Sequence, residues 1–263
     1  MPKFLQSKPQ ILFILLAGFF VVNAIVAEFI GIKIFSLEKT LGIPPFSFNF
    51  LGQQGLSFNL TAGVLLWPVV FVMTDLINEY YGPRAVKILS WMAVGLIIYA
   101  FFMVFTAIAV TPNDWWNLES GKLDANPANH IASMNLAFRK VMGQGLWIII
   151  GSVIAFLVGQ IIDVLIFHRI KKVTGEKRIW LRATGSTLVS QLIDSYIVLI
   201  IAFYIGSDWE LSRVLAIGTV NYIYKFVMAF LLTPVIYAVH AWIENYLGKD
   251  QAQQMKLEAM GNE

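Results

Sequence analysis

A segment with the sequence FVMTDLINEYYG, residues 71–82, places two carboxylates near the end of an otherwise apolar run. Asp75 and Glu79 are four residues apart, so they share one helical face with Asn78. An ionised carboxylate inside a bilayer is costly, and such side chains usually face a polar cavity and serve a function. Three later apolar runs contain Asp163, Asp194 and Lys225. The pattern indicates a membrane protein with several spans and a polar site inside it.

Amide side chains accompany these ionisable groups at helical spacing. They are Asn23 in the first run, Gln160 before Asp163, Gln191 before Asp194 and Asn221 before Lys225. At 1.5 Å per residue, Asp194 and Lys225 fall near the membrane midplane, and Asp75 and Asp163 fall nearer the cytoplasm. Adjacent helices can therefore bring a carboxylate against the ammonium. Four carboxylates facing one lysine leave surplus negative charge, so either some acids are protonated or the ligand is cationic or rich in hydrogen-bond donors.

The composition excludes several classes of protein. Of the 263 residues, 58% are hydrophobic and 13% are charged, about half the charged share of a soluble domain. The chain has no cysteine, which rules out disulfides, thiolate metal sites and cysteine nucleophiles. The net charge of +3 comes mostly from basic loops and indicates topology rather than nucleic-acid binding. We expect one integral membrane domain, residues 1–263, without a cofactor.

Six apolar runs are long enough to cross the bilayer, which predicts an all-α, polytopic membrane bundle of six transmembrane helices. They lie at approximately 10–31, 59–81, 85–110, 144–168, 183–205 and 212–242. Residues 33–58 are predicted to form a partly buried surface loop or a re-entrant hairpin. Within the long loop at 111–143, the apolar spacing of HIASMNLAFRKVMG predicts an interfacial helix.

Basic residues set the predicted orientation. Twelve Lys and Arg residues fall on one side, including a dense group at 169–182, and six fall on the other. The side with more basic residues is normally cytoplasmic, so both termini are expected in the cytoplasm. An even number of spans agrees with this.

Structural roles compete with functional ones for some of these residues. Glu79 can pair with Arg84 at the cytoplasmic interface, and Glu28 can reach the outer interface. Asp163 can pair with the basic segment that follows it, and the amides can be interhelical hydrogen bonds. Pro68 is expected to break the second helix and expose backbone groups to a cavity. No HExxH, Gly-x-Ser-x-Gly or Walker A motif is present, so an enzyme is not expected.

Together these residues resemble one family, the bacterial queuosine precursor transporters, also called vitamin uptake transporters. The resemblance covers residues 10–245. It rests on Pro68, Thr74-Asp75, Glu79 and Gly82; on Gly159 to Asp163; on Arg182, Gly185 to Thr187 and Gln191 to Asp194; and on Tyr222 to Lys225, with Asn23 in the first span.

The resemblance implies a multi-pass importer of the inner membrane that carries 7-cyano-7-deazaguanine and its aminomethyl derivative for queuosine synthesis. A carboxylate can accept both adjacent donors of a deazaguanine, N1–H and the 2-amino group. Asp75, Asp163 or Asp194 is expected to bind this edge, supported by Gln160, Gln191 and Asn23. Lys225 is expected to balance charge or to move between carboxylates, and Glu79 to act in an ion pair or gate.

The sequence is also compatible with two other functions. One is the substrate-binding subunit of an energy-coupling-factor importer. Such subunits resemble one another in an AxxxA docking motif in the first helix, and Ala17, Ala24 and Ala27 do not have that spacing. The other is a proton channel or a scaffold with a structural ion-pair core. Proton symport and facilitated diffusion are both compatible with the sequence. Small residues in several spans permit a homodimer.

Overall fold

The computed structural model describes residues 7–143, 145–174 and 179–261, and most of them are helical. The α-helices in these ranges are α1 (Lys8–Ile30), α2 (Leu37–Thr40), α3 (Trp67–Ala109), α4 (Met134–Met142), α5 (Leu146–Thr174), α6 (Ile179–Leu199), α7 (Leu211–Leu247) and α8 (Lys249–Gly261). The short strands are β1 (Ile34–Ser36), β2 (Phe48–Phe50), β3 (Gln53–Leu56) and β4 (Asn59–Thr61). A π-helical segment, Ile200–Ile205, continues α6.

Within the described ranges, five helical stretches are long and apolar enough to cross a membrane. They are Lys8–Ile30, Ala62–Ala109, Met134–Thr174, Leu181–Ile205 and Leu211–Leu247. Large apolar side chains such as Phe19, Ile98, Phe102 and Leu231 remain about half exposed or more on their outer faces, as lipid-facing residues do. The prediction of an apolar helical bundle is therefore confirmed in its main features.

The long helix α3 is interrupted at Gly82. Its φ of 78° and ψ of 176° lie outside the helical region, in a conformation that side-chain-bearing residues rarely adopt. Pro83 follows and cannot donate a helical hydrogen bond. The sequence therefore specifies a sharp break between two halves of α3, residues 67–81 and 83–109.

The two halves of α3 run in opposite directions beside α1. At the break, Tyr81 donates a hydrogen bond of 2.7 Å to Pro9 O, near the start of α1. The ring of Phe101, far along the second half, lies 5.2 Å from that of Phe29, near the end of α1. Just before the first half, Gly63 also lies against the end of α1, where a Cβ would be 2.8 Å from Ala27 O.

Residues 34–61 form two small antiparallel sheets instead of the beginning of a span. Strand β1 pairs with β4, with Ile34 opposite Thr61, and β2 pairs with β3. The predicted start of the second span at residue 59 is wrong, because its helix begins at Trp67. Pro68 lies in the first turn of that helix, where its missing N–H has no helical partner to lose. It begins the helix and does not break it.

Helices α5 and α6 extend further towards each other than predicted. Helix α5 continues past residue 168 to Thr174, and α6 begins before residue 183. Lys171 and Arg182, predicted to belong to a basic loop, are 1% and 0% exposed. The loop assignment of these two residues is wrong because both find a buried carboxylate partner, Glu79. The basic residues at 175–178 lie outside the described residues.

The last part of the chain crosses the break in α3. Helix α7 continues five residues past the predicted end at 242, and α8 follows it directly. A Cβ on Gly82 would lie 3.1 Å from Ala259 O of α8. Lys256 of α8 forms a 2.6 Å ion pair with Glu244 of α7. The helix predicted within 130–143 is confirmed as α4.

Candidate functional site

A cavity of about 360 Å³ opens at the end of the bundle that carries the small sheets and α4. Its walls come from α1, α5, α6, α7 and the segment before α3. The polar or aromatic side chains among its lining residues include Glu28, Thr61, Trp67, Lys140, Ser152, Asp194, Ser195, Phe203, Asn221 and Lys225. We refer to this space as the outer cavity. Its volume lies in the range of small-molecule binding sites.

An ion pair links α6 and α7 at this cavity. Lys225 Nζ lies 2.5 Å from Asp194 Oδ2, and their side chains are 6% and 16% exposed. The low exposure strengthens the attraction between the charges and makes either one unfavourable without the other. The cavity thus presents a fixed cation beside a fixed anion.

Glu28 also lines the outer cavity. It is 6% exposed and accepts a hydrogen bond from Ser152 of α5. The expectation that it reaches the outer interface is wrong, since it turns inward to this hydroxyl. A carboxylate near the end of an apolar run fits either environment, so the sequence carries no local signal that places Glu28 in a cavity.

Deeper in the bundle, Asp75 and Asp163 meet among hydroxyl groups of α6. Asp75 accepts hydrogen bonds from Ser186 Oγ at 3.4 Å and from Thr187 Oγ1 at 3.3 Å. Ser190 Oγ donates to Asp163 Oδ1 at 3.1 Å. The two carboxyl groups are therefore neighbours, since the hydroxyls that bind them lie about one helical turn apart on α6. Both are almost fully buried, and neither lines the outer cavity.

A third polar cluster lies nearest the break in α3. Glu79 pairs with Arg182 at 2.6 Å and with Lys171 at 3.1 Å, and all three are buried. The ion-pair partners of Glu79 are therefore on α5 and α6, whereas Arg84, the partner considered from the sequence, is exposed. Within this cluster His168 Nε2 is 2.8 Å from Asn78 Oδ1.

The three amide side chains that were predicted to support substrate binding have different surroundings. Gln160 accepts a hydrogen bond of 2.9 Å from Thr74, and its Nε2 has no partner among the described residues. Gln191 is 2% exposed, and neither of its amide atoms has a partner among the described residues. Asn23 donates to Phe19 O within α1 and does not line the outer cavity.

A small void of about 10 Å³ lies under the Asp194–Lys225 pair, with room for about one water molecule. We call it the inner void. Lys225 lines both this void and the outer cavity, and Gln191 and Thr187 line the void from α6. The void therefore connects the ion pair with the hydroxyl that donates to Asp75.

Sequence reasoning missed Lys171, Arg182, Ser186 and Ser190 as parts of the polar interior. Serine and threonine are common in apolar helices, so Ser186 and Ser190 carry no signal without knowledge of their neighbours. The regular spacing of Arg182, Ser186 and Ser190, each four residues apart, is a signal that could have placed them on one face.

A family model described as "Putative vitamin uptake transporter" matches residues 61–239, about two thirds of the chain. The chain belongs to this family. The matched region contains Asp75, Glu79, Asp163, Asp194 and Lys225. Membership of the vitamin uptake transporter family confirms the resemblance seen in the sequence, and the chain is accordingly a transporter and not an enzyme.

Three curated relatives of this vitamin uptake transporter have related names. A "Probable queuosine precursor transporter" of Bacillus subtilis is 29% identical over 194 residues, 72% of this chain and 76% of the relative. One of Haemophilus influenzae with the same name is 24% identical over 185 residues, 70% and 69% of the two chains. The "Queuosine precursor transporter" of Escherichia coli is 25% identical over 219 residues, 81% and 87%.

No solved structure matches the chain. The relatives and the apolar helices together identify a multi-pass protein of the inner membrane.

Proposed function

We propose that this transporter imports queuosine precursors, 7-cyano-7-deazaguanine and its 7-aminomethyl derivative, and that the base binds in the outer cavity. The observation that carries the proposal is the Asp194–Lys225 pair in a cavity of about 360 Å³. The names of the three relatives support the substrate class.

The ion pair is complementary to one edge of the base. A deazaguanine presents an acceptor, O6, next to two donors, N1–H and the 2-amino group. Lys225 offers donors next to the acceptor oxygens of Asp194, so the ammonium can bind O6 while the carboxylate accepts both N–H groups. Of the three aspartates considered from the sequence, Asp194 alone lines the outer cavity, which favours it over Asp75 and Asp163.

Neighbouring residues supply the remaining interactions. Trp67 lines the cavity and is held by its contact with Phe156, 5.5 Å between ring centroids, so its indole can stack on the bicyclic ring. Asn221 and Glu28 lie in the same cavity and can bind the pyrrole side of the base. Gln191 lies beneath Lys225 and can bind the base once the inner void widens.

The proposed topology has six spans with both termini in the cytoplasm. The reversal of α3 at Gly82 divides the 48-residue apolar stretch Ala62–Ala109 into two spans, which supports the count. Most of the described Lys and Arg residues belong to the segments at the end of the bundle that contains Gly82 and α8, so we place this end in the cytoplasm and the opening of the outer cavity on the opposite side. One chain encloses the whole cavity; that two chains form a homodimer stays a prediction.

The test is uptake-dependent synthesis of queuosine. The gene is expressed in a bacterium that neither makes the precursor nor has its own importer, nanomolar 7-cyano-7-deazaguanine is supplied, and queuosine is measured in tRNA. Wild type restores queuosine, whereas Asp194→Ala and Lys225→Ala do not. The matched controls Asp208→Asn and Lys122→Ala change exposed residues and keep wild-type activity.

Two results would contradict the proposal. Wild-type uptake by both site variants at equal expression would remove the ion pair from the substrate site. Uptake that requires a copurifying ATPase would instead identify the substrate-binding subunit of an energy-coupling-factor importer.

A further inference from the structure

Two carboxyl groups meet in the interior of the bundle, and neither has a basic partner in the described part of the chain. Asp75 is 1% exposed and Asp163 is 0% exposed. Asp163 Oδ2 has no N–H or O–H donor among the described residues. The carboxyl groups of Asp163 and Asp75 are neighbours, held by hydroxyls one helical turn apart on α6, and two carboxyl groups can share a hydrogen bond only if one of them carries a proton.

The positive charges nearby are committed to other carboxylates. Lys171 and Arg182 pair with Glu79, and Lys225 pairs with Asp194. No lysine or arginine among the described side chains forms an ion pair with Asp75 or Asp163. Like charges in contact repel strongly where water is excluded, so the two acids are not both ionised.

The charges around the pair favour one proton on it. The helices packed around the pair carry these further buried or half-buried charged or titratable groups among the described residues: Glu79 on α3, His168 and Lys171 on α5, Arg182 and Asp194 on α6, and Lys225 and His240 on α7. Glu79 with its two basic partners carries one net positive charge, whereas Asp194 with Lys225 carries none. A singly protonated aspartate pair has one negative charge, which balances the Glu79 cluster.

A second, independent feature connects this pair with the outer cavity. Gln191 is buried, neither of its amide atoms has a partner among the described residues, and it lines the inner void, which has room for about one water molecule. Thr187 lines the same void and donates to Asp75. Lys225, at the top of the void, also lines the outer cavity. A proton can therefore pass from the outer cavity through one water and a hydroxyl to the carboxyl pair.

We propose that Asp75 and Asp163 form a proton-binding site that couples import to proton influx. A proton from outer water forms an O–H bond on one carboxylate when the outer cavity is open. When the inner side opens, water enters and screens the two carboxylates from each other, so the O–H bond can break and the proton passes to cytoplasmic water. Substrate and proton thus travel in the same direction. The coupling rests on the proposed substrate, whereas the proton site itself does not.

The experiment measures uptake of 7-cyano-7-deazaguanine into liposomes that contain the purified protein. With the external pH lower than the internal pH, wild-type uptake is expected to be several times faster than without a gradient. In Asp75→Asn and Asp163→Asn this ratio falls to one. Asp208→Asn removes an exposed carboxylate at a positive φ that asparagine tolerates, and it keeps the wild-type ratio. A wild-type ratio of one, or a response to a sodium gradient instead, would overturn the coupling.

Infrared titration tests the site without any substrate. The wild type should show the C=O stretch of a protonated carboxylic acid at neutral pH, and both aspartate variants should lose the same part of that band while Asp208→Asn retains it. A band unchanged in the two variants would overturn the proton site. If the band is lost as expected but the wild type imports no deazaguanine, the substrate proposal fails and the proton site stands.

Discussion

Lys225 Nζ lies 2.5 Å from Asp194 Oδ2, between two helices whose pairing brings residues 31 positions apart into contact. The pair is nearly buried, yet both residues line the outer cavity and Lys225 also lines the inner void. A ligand that binds the carboxylate competes with the ammonium, and a released ammonium faces the inner void. Substrate binding and opening of the path below it can thus be linked through one lysine.

The two charges are expected to be strongly coupled in stability. Removing one partner of a buried pair leaves the other uncompensated and costs about 3–5 kcal/mol. Lys225→Ala and Asp194→Ala should each lower the midpoint of thermal unfolding in detergent, and the double variant should be more stable than the Lys225→Ala single variant. Additive losses in the double variant would show that the pair contributes no coupling energy.

Glu79 should be more important for stability than its sequence position suggests. Glu79→Gln leaves Lys171 and Arg182 buried without their carboxylate, again a loss of about 3–5 kcal/mol. Thermal unfolding of the purified variant checks this. Arg84→Gln is the control, because Arg84 is exposed and its loss should change stability by less than about 0.5 kcal/mol. If the two substitutions lowered stability equally, Glu79 would be better placed at the membrane–water interface, where the sequence allowed it to pair with Arg84.

The break in α3 depends on glycine. Gly82→Ala introduces a side chain at φ 78° and places its Cβ 3.1 Å from Ala259 O, so a loss of about 1–3 kcal/mol is expected. Gly95 is a helical control in the same element with nothing within 4 Å of its Cβ, and Gly95→Ala should gain about 1 kcal/mol. Both changes in stability can be measured by thermal unfolding. If Gly82→Ala left the stability unchanged, the backbone at residue 82 would be able to adopt a conformation that alanine tolerates.

The loop between α1 and α3 should loosen in acid. Burial raises the pKa of Glu38, but the Phe58 N–H, 2.7 Å away, and the Ser36 hydroxyl outweigh it and hold the pKa below its usual 4.5. A lowered folded-state pKa adds stability that is present above the unfolded value and is lost as pH falls through the folded value.

Hydrogen exchange of residues 34–61, corrected for the intrinsic pH dependence, should therefore be slow at neutral pH and rise below the usual pKa of a glutamate. Glu38→Gln should exchange faster at neutral pH and show no further acid-dependent rise. An unchanged pH profile in this variant would assign the acid response to another group.

Much of the fold follows from the sequence, because apolar runs of membrane length have few alternatives to helices. The sequence-based predictions are wrong where buried charged residues neutralise one another in ion pairs. Lys171 and Arg182 make the segment near them look like a surface loop, and only the position of Glu79 reveals their burial. For the candidate site, spacing selected Asp194 and Lys225, but no local pattern distinguishes a cavity residue such as Glu28 from one that faces the interface.

The proposed pairing of Asp194 with the donor edge predicts how the transporter selects its substrate. An analogue of 7-cyano-7-deazaguanine without the 2-amino group removes one donor to the carboxylate, and hydrogen bonds to charged groups contribute about 1.5–3 kcal/mol. Its half-inhibitory concentration against wild-type uptake should therefore rise by about 10- to 100-fold. Glu28→Gln should preserve this preference, since Glu28 is assigned to the opposite side of the base. Equal inhibition by the two compounds in the wild type would mean that the carboxylate binds a different edge.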